Sequence, residues 1–137
     1  MSETSFDTAC DNLSGLVDAV QFERLRWDRN EGPLLTKLVT WARDAFEEHG
    51  EFELTEEGSV TDRKRFVLKV HTKRTIGIAF EVVDGLAVIE PDLADRSIYT
   101  LTTREAITAP MHEFHEEWVK AALQEIFSRV QPLDSAA

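Results

Sequence analysis

Apolar and polar residues alternate most regularly in the middle of the chain, over residues 63–88. A period of two is typical of a β-strand with one buried face, because successive side chains point to opposite sides. The pattern predicts one strand over residues 64–72 and another over residues 75–83. Their common buried face is expected to carry five large side chains: Phe66, Leu68, Ile76, Ile78 and Phe80.

Three shorter segments extend this predicted sheet. Asp84-Gly85 is a dipeptide preferred in two-residue hairpin turns, so a further strand should follow it and end at Pro91. Before the central strands, Phe52 and Leu54 alternate with glutamates and predict a first strand. After them, residues 98–101 predict a short fifth strand. The sheet is therefore expected to be an antiparallel meander of four or five strands.

Near both ends of the chain, apolar residues recur at the three- and four-residue spacing of an amphipathic helix. A first helix is predicted over residues 6–27, with a short strand over residues 21–28 as the alternative for its last part. A second is predicted from Pro33 to Phe46, and Gly50 fits its C-cap. Residues 102–105 have the spacing of a capping box and predict a single helical turn. A long helix over residues 110–130 should follow.

Helices at both ends of a strand meander are typical of an α+β fold. We expect two N-terminal helices, the antiparallel sheet and a long C-terminal helix, packed as a two-layer sandwich. The length of 137 residues suits a single domain over residues 1–137. Residues 1–4 and 133–137 are predicted to be flexible tails.

The chain is strongly acidic, with a formal net charge of −11 at neutral pH. Such a surface repels nucleic-acid phosphates and anionic membranes, so direct nucleic-acid binding is disfavoured. The N-terminal segment lacks the basic and apolar regions of a secretory signal. No apolar run approaches the roughly 20 residues of a membrane-spanning helix. Together these features favour a cytoplasmic protein without membrane association.

Basic residues are concentrated in one place, since residues 63–74 hold six of the fifteen and no acid. One set of alternate positions there forms a candidate site for a phosphate or another anion, which we call the basic row: Arg65, Lys69, His71 and Lys73. The favoured alternative is a ladder of cross-strand ion pairs with Glu51, Glu53 and Glu81. The aromatic residues that would interleave with a single-stranded nucleic acid are missing from this face.

Carboxylates cluster at several turns and near the predicted C-terminal helix. Most are expected to be solvated, but together they offer a surface complementary to a basic protein. The candidate partner-binding residues are Glu47, Glu48, Glu56, Glu57, Glu113 and Glu117.

One group of residues has the spacing of metal ligands. On a continuous helix His112, His115 and Glu116 share a face, and imidazole with carboxylate suits zinc. The segment is not the zincin motif, because glutamate stands where its second histidine would be. No fourth ligand can be identified, so a solvated helix face is the favoured alternative.

Motifs for catalysis or cofactor binding are not found in the sequence. It contains no nucleophile elbow, P-loop or dinucleotide fingerprint. The only cysteine, Cys10, falls on the apolar stripe of the first predicted helix, where a buried packing role is expected. We therefore expect no cofactor and lean against an enzyme.

These observations favour a non-enzymatic interaction module, such as an adapter, a chaperone-like protein or an inhibitor, that engages a basic protein partner. A homodimer is a further expectation. The alternatives are an anion- or ligand-binding module that uses the basic row and, less favoured, a metal-dependent activity at His112, His115 and Glu116.

Overall fold

The computed structural model describes residues 3–60, 62–110, 113 and 115–133, with backbone alone at residues 3 and 4. Within these residues the chain forms four helices and seven strands. In chain order they are α1 (Glu3–Val17), α2 (Ala19–Arg29), α3 (Glu31–Ala45), β1 (Phe52–Glu56), β2 (Arg63–Val70), β3 (Lys73–Val83), β4 (Leu86–Leu93), β5 (Tyr99–Leu101), β6 (Ile107–Pro110), α4 (Glu116–Ser128) and β7 (Val130–Pro132). Of the predicted tails, residues 1, 2 and 134–137 lie outside the described residues, whereas residues 3 and 4 belong to α1 and residue 133 follows β7.

The fold is mixed α+β, with helices before and after an antiparallel sheet. Five strands form the main sheet in the order β1-β2-β3-β4-β6, and β5 pairs with β7 in a separate two-stranded sheet. The predicted fold class is confirmed, while the two-layer arrangement stays a prediction. The chain divides into two compact units, Met1–Leu34 and Leu35–Ala137, and the boundary falls near the start of α3.

Two tight turns connect the central strands. Asp84 and Gly85 have φ angles of 49° and 78°, so the predicted two-residue hairpin is confirmed. His71 and Thr72, with φ angles of 52° and 66°, form an equivalent turn between β2 and β3. The predicted strand over residues 64–72 is therefore too long, because the chain reverses after Val70.

The core of the second unit includes the predicted apolar face of the main sheet. The five side chains predicted to share this face are each at most 2% exposed. Apolar side chains of α3 and α4 are buried with them, among them Leu35, Leu38 and Ile126. The guanidinium of Arg43, on α3, lies 5.0 Å from the ring centroid of Phe66. The alternating pattern over residues 63–88 therefore identifies one buried face correctly, although Val67, Gly77 and Ala79 on the opposite face are buried as well.

The first unit contains α1 and α2, which meet at Asp18. The carboxylate of Asp18 accepts a hydrogen bond of 3.1 Å from the backbone N–H of Gln21 and caps α2. Residues 21–28 are thus helical, and the strand alternative is wrong. Cys10 is exposed, contrary to the burial expected from its position on the apolar stripe. The other large residues of this apolar stripe are exposed in the described chain as well: Phe6, Leu13, Leu16, Val17 and Val20.

The segment before α4 differs most from prediction. Residues 102–105 form no helical turn; instead, the Thr103 hydroxyl accepts a hydrogen bond from the Glu105 N–H. Strand β6 follows and pairs with β4, giving that strand a second neighbour. The helix predicted from residue 110 begins only at Glu116. The chain after residue 105 thus forms a strand paired with β4, where the capping signal predicts the start of a helix.

Two further predictions about strands need correction. β4 continues past Pro91 to Leu93. This is tolerated because β6 pairs with β4 only between Leu86 and Ile89, so no described strand lies beside the proline on that side. The predicted fifth strand exists as β5, but it pairs with β7 rather than joining the meander.

Candidate functional site: an aromatic groove beside the free edge of β1

Three phenylalanines from separate elements form a partly exposed cluster in the second unit. The ring centroids of Phe46 and Phe52 are 5.4 Å apart. The ring of Phe127 lies 6.0 Å from that of Phe46 and 5.9 Å from that of Phe52. The cluster lines an open groove of about 310 Å³, which we call the aromatic groove: Ala45, Phe46, His49, Phe52, Lys120, Leu123, Gln124 and Phe127.

The local chain path explains why these rings remain half exposed. α3 ends at Ala45, and a tight turn then leads into β1, with the Phe52 N–H donating to the His49 carbonyl at 2.9 Å. Phe46 and Phe52 therefore lie at the two ends of this turn. Phe127 lies near the end of α4, next to the buried Ile126. Each ring thus belongs to the end of an element rather than to its middle.

The residues around the aromatic groove carry more acids than bases. Glu47 and Glu48 follow Phe46 directly and are exposed. His49 and Lys120, which line the groove, each have a carboxylate nearby: Glu51 lies 4.0 Å from His49 Nδ1. Glu117 lies 4.0 Å from Lys120 Nζ. The basic groups at the groove are thus partly compensated, and the exposed charge around it is negative.

β1 lies at an edge of the main sheet, since its one partner within the described chain is β2. The His71 N–H donates to the Glu51 carbonyl at 2.8 Å, and the Glu57 N–H donates to the Arg65 carbonyl at 3.0 Å. Hydrogen-bonded pairs alternate along an antiparallel ladder. With the register Glu53 to Lys69 and Thr55 to Val67, the odd-numbered residues of this segment bond to β2.

The main-chain groups of the even-numbered residues therefore point away from the sheet. Phe52, Leu54 and Glu56 are those residues, and the Phe52 N–H is already used by the His49 carbonyl. The free edge of β1 consequently presents the Phe52 carbonyl and both main-chain groups of Leu54 and Glu56. Phe52 also lines the aromatic groove, so the groove and the free edge are contiguous.

The residues of the basic row do not lie on one face of one strand. Arg65 and Lys69 are in β2, His71 is in the turn, and Lys73 begins β3 opposite Val70. A register shift between Leu68 and Lys69 accompanies this change. The basic row requires one strand that continues to residue 73. The turn at residues 71–72 ends β2 before that point, so the four side chains do not line one strand face.

Arg65 is held by groups of the sheet. Its Nη2 atom lies 3.8 Å from Asp92 Oδ2 and donates to the Leu93 carbonyl at 3.2 Å. The predicted ion pairs of the basic row with Glu51, Glu53 and Glu81 are not found among the described residues. Instead, Arg63 lies 3.7 Å from Glu81 and 3.6 Å from Glu90. Much of the positive charge of β2 is therefore neutralised within the sheet.

A second cavity lies beside the turn between β2 and β3. It measures about 360 Å³ and is lined by Val70, His71, Lys73, Thr75 and Tyr99. Among the described side chains, no carboxylate lies within ion-pair distance of Lys73. Two members of the basic row, His71 and Lys73, are therefore brought together at this cavity, away from Arg65.

Two carboxyl groups near β2 and β3 have lowered pKa values. The Arg74 guanidinium donates to Glu57 at 2.7 Å and lowers the pKa of that carboxyl. Partial burial opposes ionisation of Asp92, but the Leu93 N–H and the Arg104 guanidinium outweigh it and lower the pKa. Both groups therefore favour the charged form in the folded protein.

The candidate partner-binding acids occupy several different places. Glu56 is at the end of β1, 3.9 Å from Lys64. Glu57 is engaged by Arg74. Glu113 precedes α4 and Glu117 is in its first turn. Of the predicted set, Glu47 and Glu48 follow Phe46 directly, Glu117 lies 4.0 Å from the groove-lining Lys120, and Glu56 lies further along β1.

The proposed metal ligands are only partly described. His112 lies outside the described residues. His115 precedes α4 and accepts a hydrogen bond from the Trp118 N–H through Nδ1 at 3.3 Å, and Glu116 is the first helical residue. The helical face that predicted the site does not include His115. In the part of the chain that the structure describes, no three metal-ligating side chains cluster.

The sequence pattern missed the aromatic groove. Phe46 and Phe127 fall within predicted helices and Phe52 within a predicted strand, and no local pattern indicates that their three rings meet.

Comparison with protein-family models gives no match. Curated proteins and solved structures likewise give no significant match. Among the described helices, none combines the length and the apolar character required to span a bilayer.

Proposed function

We propose that this protein is a non-enzymatic cytoplasmic interaction module, of the adapter, chaperone-like or inhibitor type, whose aromatic groove binds a basic protein segment. The observation that supports the proposal is the half-exposed cluster of Phe46, Phe52 and Phe127 beside exposed carboxylates. Aromatic side chains in a partly open groove are typical anchoring points of protein interfaces.

The apolar and charged parts of this surface have different roles in the proposal. Burying an apolar side chain against the three rings supplies affinity, at roughly 25 cal/mol per Å² of apolar surface removed from water. The net charge of −11 attracts a basic partner and raises its association rate. The proposed occupant is therefore a segment in which lysine or arginine flanks a large apolar residue.

A test is the affinity of a synthetic peptide in which lysine alternates with phenylalanine and valine, measured by fluorescence anisotropy at low and high salt. Ala45→Trp places a large side chain into the groove and should weaken binding about tenfold. Ala121→Trp is the matched control, because Ala121 is an exposed residue of α4 that does not line the groove.

The expected result is salt-sensitive binding that Ala45→Trp weakens and Ala121→Trp leaves unchanged. Absence of binding by the peptide, or equal effects of the two tryptophan variants, would overturn the proposal. Circular dichroism of each variant establishes that both remain folded.

A second candidate function is anion binding at the cavity beside the turn between β2 and β3. The supporting observation is that His71, Lys73 and Tyr99 line one cavity of about 360 Å³. Inorganic phosphate, titrated while the Tyr99 resonances are followed by NMR, provides a direct probe. Shifts that Lys73→Glu abolishes would support this candidate, and unchanged Tyr99 resonances would exclude it.

A further inference from the structure

We infer that the basic segment binds as an additional antiparallel strand along the free edge of β1, and this inference rests on the proposed function. Strand addition is a recurrent way to recognise an extended peptide, in which main-chain hydrogen bonds give affinity and alternate side chains give specificity. β1 satisfies the main requirement, because Leu54 and Glu56 direct their N–H and carbonyl groups away from β2.

The side chains on one face of the added strand would point toward the aromatic groove. Phe52 and Leu54 point to the same face of β1, and Phe52 stacks on Phe46 in the groove. In an antiparallel pair, a residue directly opposite Phe52 places its side chain on that same face. Apolar residues of the segment should therefore stand opposite Phe52 and Leu54, the first of them entering the groove.

The other face of the segment should be basic, and so should its end opposite Glu56. Glu53 is exposed and lies between Phe52 and Leu54 on the opposite face, whereas Glu56 is exposed at the end of the strand on the same face as Phe52 and Leu54. Opposite charges directly across a strand pair stabilise it, whereas like charges destabilise it. The preferred segment therefore reads, from its N-terminus, basic, polar, apolar, basic, apolar, basic, opposite residues 56 to 51 in that order.

A second copy of this chain fits the edge poorly. Pairing β1 with β1 of another molecule would place two copies of Glu51, Glu53 and Glu56 along one pair of strands. Charged residues on edge strands are known to prevent such self-association. The acids that disfavour a second copy are the same acids that select a basic segment.

Backbone methylation of the peptide distinguishes strand addition from other binding at the groove. In an added strand, alternate N–H groups point to β1 and the rest to solvent. We would compare three peptides of the preferred pattern: one unmodified, one N-methylated at the even positions and one at the odd positions. Affinity for the full chain is measured by fluorescence anisotropy.

Strand addition predicts that one methylated peptide binds at least about tenfold more weakly than the unmodified peptide. The other methylated peptide should retain affinity within about twofold, because its modified groups face solvent. Equal affinities of both methylated peptides, or equal losses, would overturn strand addition while leaving the groove as a binding site. If the unmodified peptide itself fails to bind, the proposed function fails and this inference fails with it.

Discussion

The side chain of Arg65 lies across Gly77 on the neighbouring strand. A Cβ atom at Gly77 would stand 2.8 Å from Arg65 Nη2 and 3.3 Å from Arg65 Cζ. Gly77 and Ala79 are both buried on this face. The absence of a side chain at Gly77 therefore lets the guanidinium reach Asp92 Oδ2, at 3.8 Å, and the Leu93 carbonyl, at 3.2 Å.

Gly77→Ala is expected to destabilise the protein by about 1–2 kcal/mol. The methyl group would displace the guanidinium of Arg65 and disturb its contacts with Asp92 and Leu93. The free energy of unfolding from urea titration measures the effect. In an Arg65→Ala background the same substitution should cost less, because the guanidinium is no longer present.

Gly50→Ala is the matched control for Gly77→Ala. Among the described residues, no atom lies within 4 Å of the Cβ position at Gly50. The substitution should therefore leave stability unchanged or raise it by up to about 1 kcal/mol, through lower entropy of the unfolded chain. Equal losses for the two glycine variants would contradict the role assigned to Arg65.

Stability should fall as the pH falls below about 4. The pKa values of Glu57 and Asp92 are lower in the folded protein than in an ordinary carboxyl group. Each therefore contributes stability above its unfolded pKa, and this contribution is lost as the pH falls through the folded pKa.

Glu57→Gln tests this pH dependence at one pair. The variant should be less stable than the natural protein near neutral pH, because Arg74 loses a charged partner 2.7 Å away. At about pH 3 the difference should become smaller, since the natural carboxyl is then increasingly protonated. Urea midpoints at the two pH values measure it, and a difference independent of pH would contradict the linkage.

His115 contributes to α4 as its N-cap. The Nδ1 atom accepts a hydrogen bond of 3.3 Å from the Trp118 N–H. His115→Ala should lower the free energy of unfolding by about 0.5–2 kcal/mol, whereas His115→Asn should retain most of the stability. If the two variants unfold at the same urea concentration, the capping role is wrong.

The two units should respond differently to loss of a leucine side chain. Leu38 is 0% exposed and Leu16 is 83% exposed. Leu38→Ala should cost about 2–5 kcal/mol, while Leu16→Ala should change stability by no more than about 0.5 kcal/mol. Urea unfolding of both variants measures the contrast. A large loss at Leu16 would mean that the stripe on α1 is covered in solution.

The sequence predicts best those features that depend on nearby residues. The Asp84-Gly85 turn and the buried positions around Phe80 follow from local preference and a strict period of two. The turn at Thr72 was not predictable in this way, because a β-branched residue rarely adopts a positive φ. Residues 102–105 have the sequence of a helix start, but the residues that follow form β6 and pair with β4. This long-range pairing is not visible in the local sequence.

The candidate site was less predictable than the fold. Phe127 is far in the chain from Phe46 and Phe52, which lie at the two ends of one turn, and only the packing of α4 beside that turn brings the three rings together. The free edge of β1 likewise depends on strand order, which alternation within one strand does not determine. The clustering of acids indicated a basic partner, but not the surface to which it would bind.

The central claim concerns the amides at the edge of β1, and hydrogen exchange followed by NMR tests it most directly. In the free protein the N–H groups of Leu54 and Glu56 should exchange faster than those of Glu53 and Thr55, which face β2. Saturation with the unmodified peptide of the preferred pattern should slow exchange at Leu54 and Glu56 to rates similar to those of Glu53 and Thr55. Unchanged exchange at Leu54 and Glu56 in the peptide-bound protein would contradict the account.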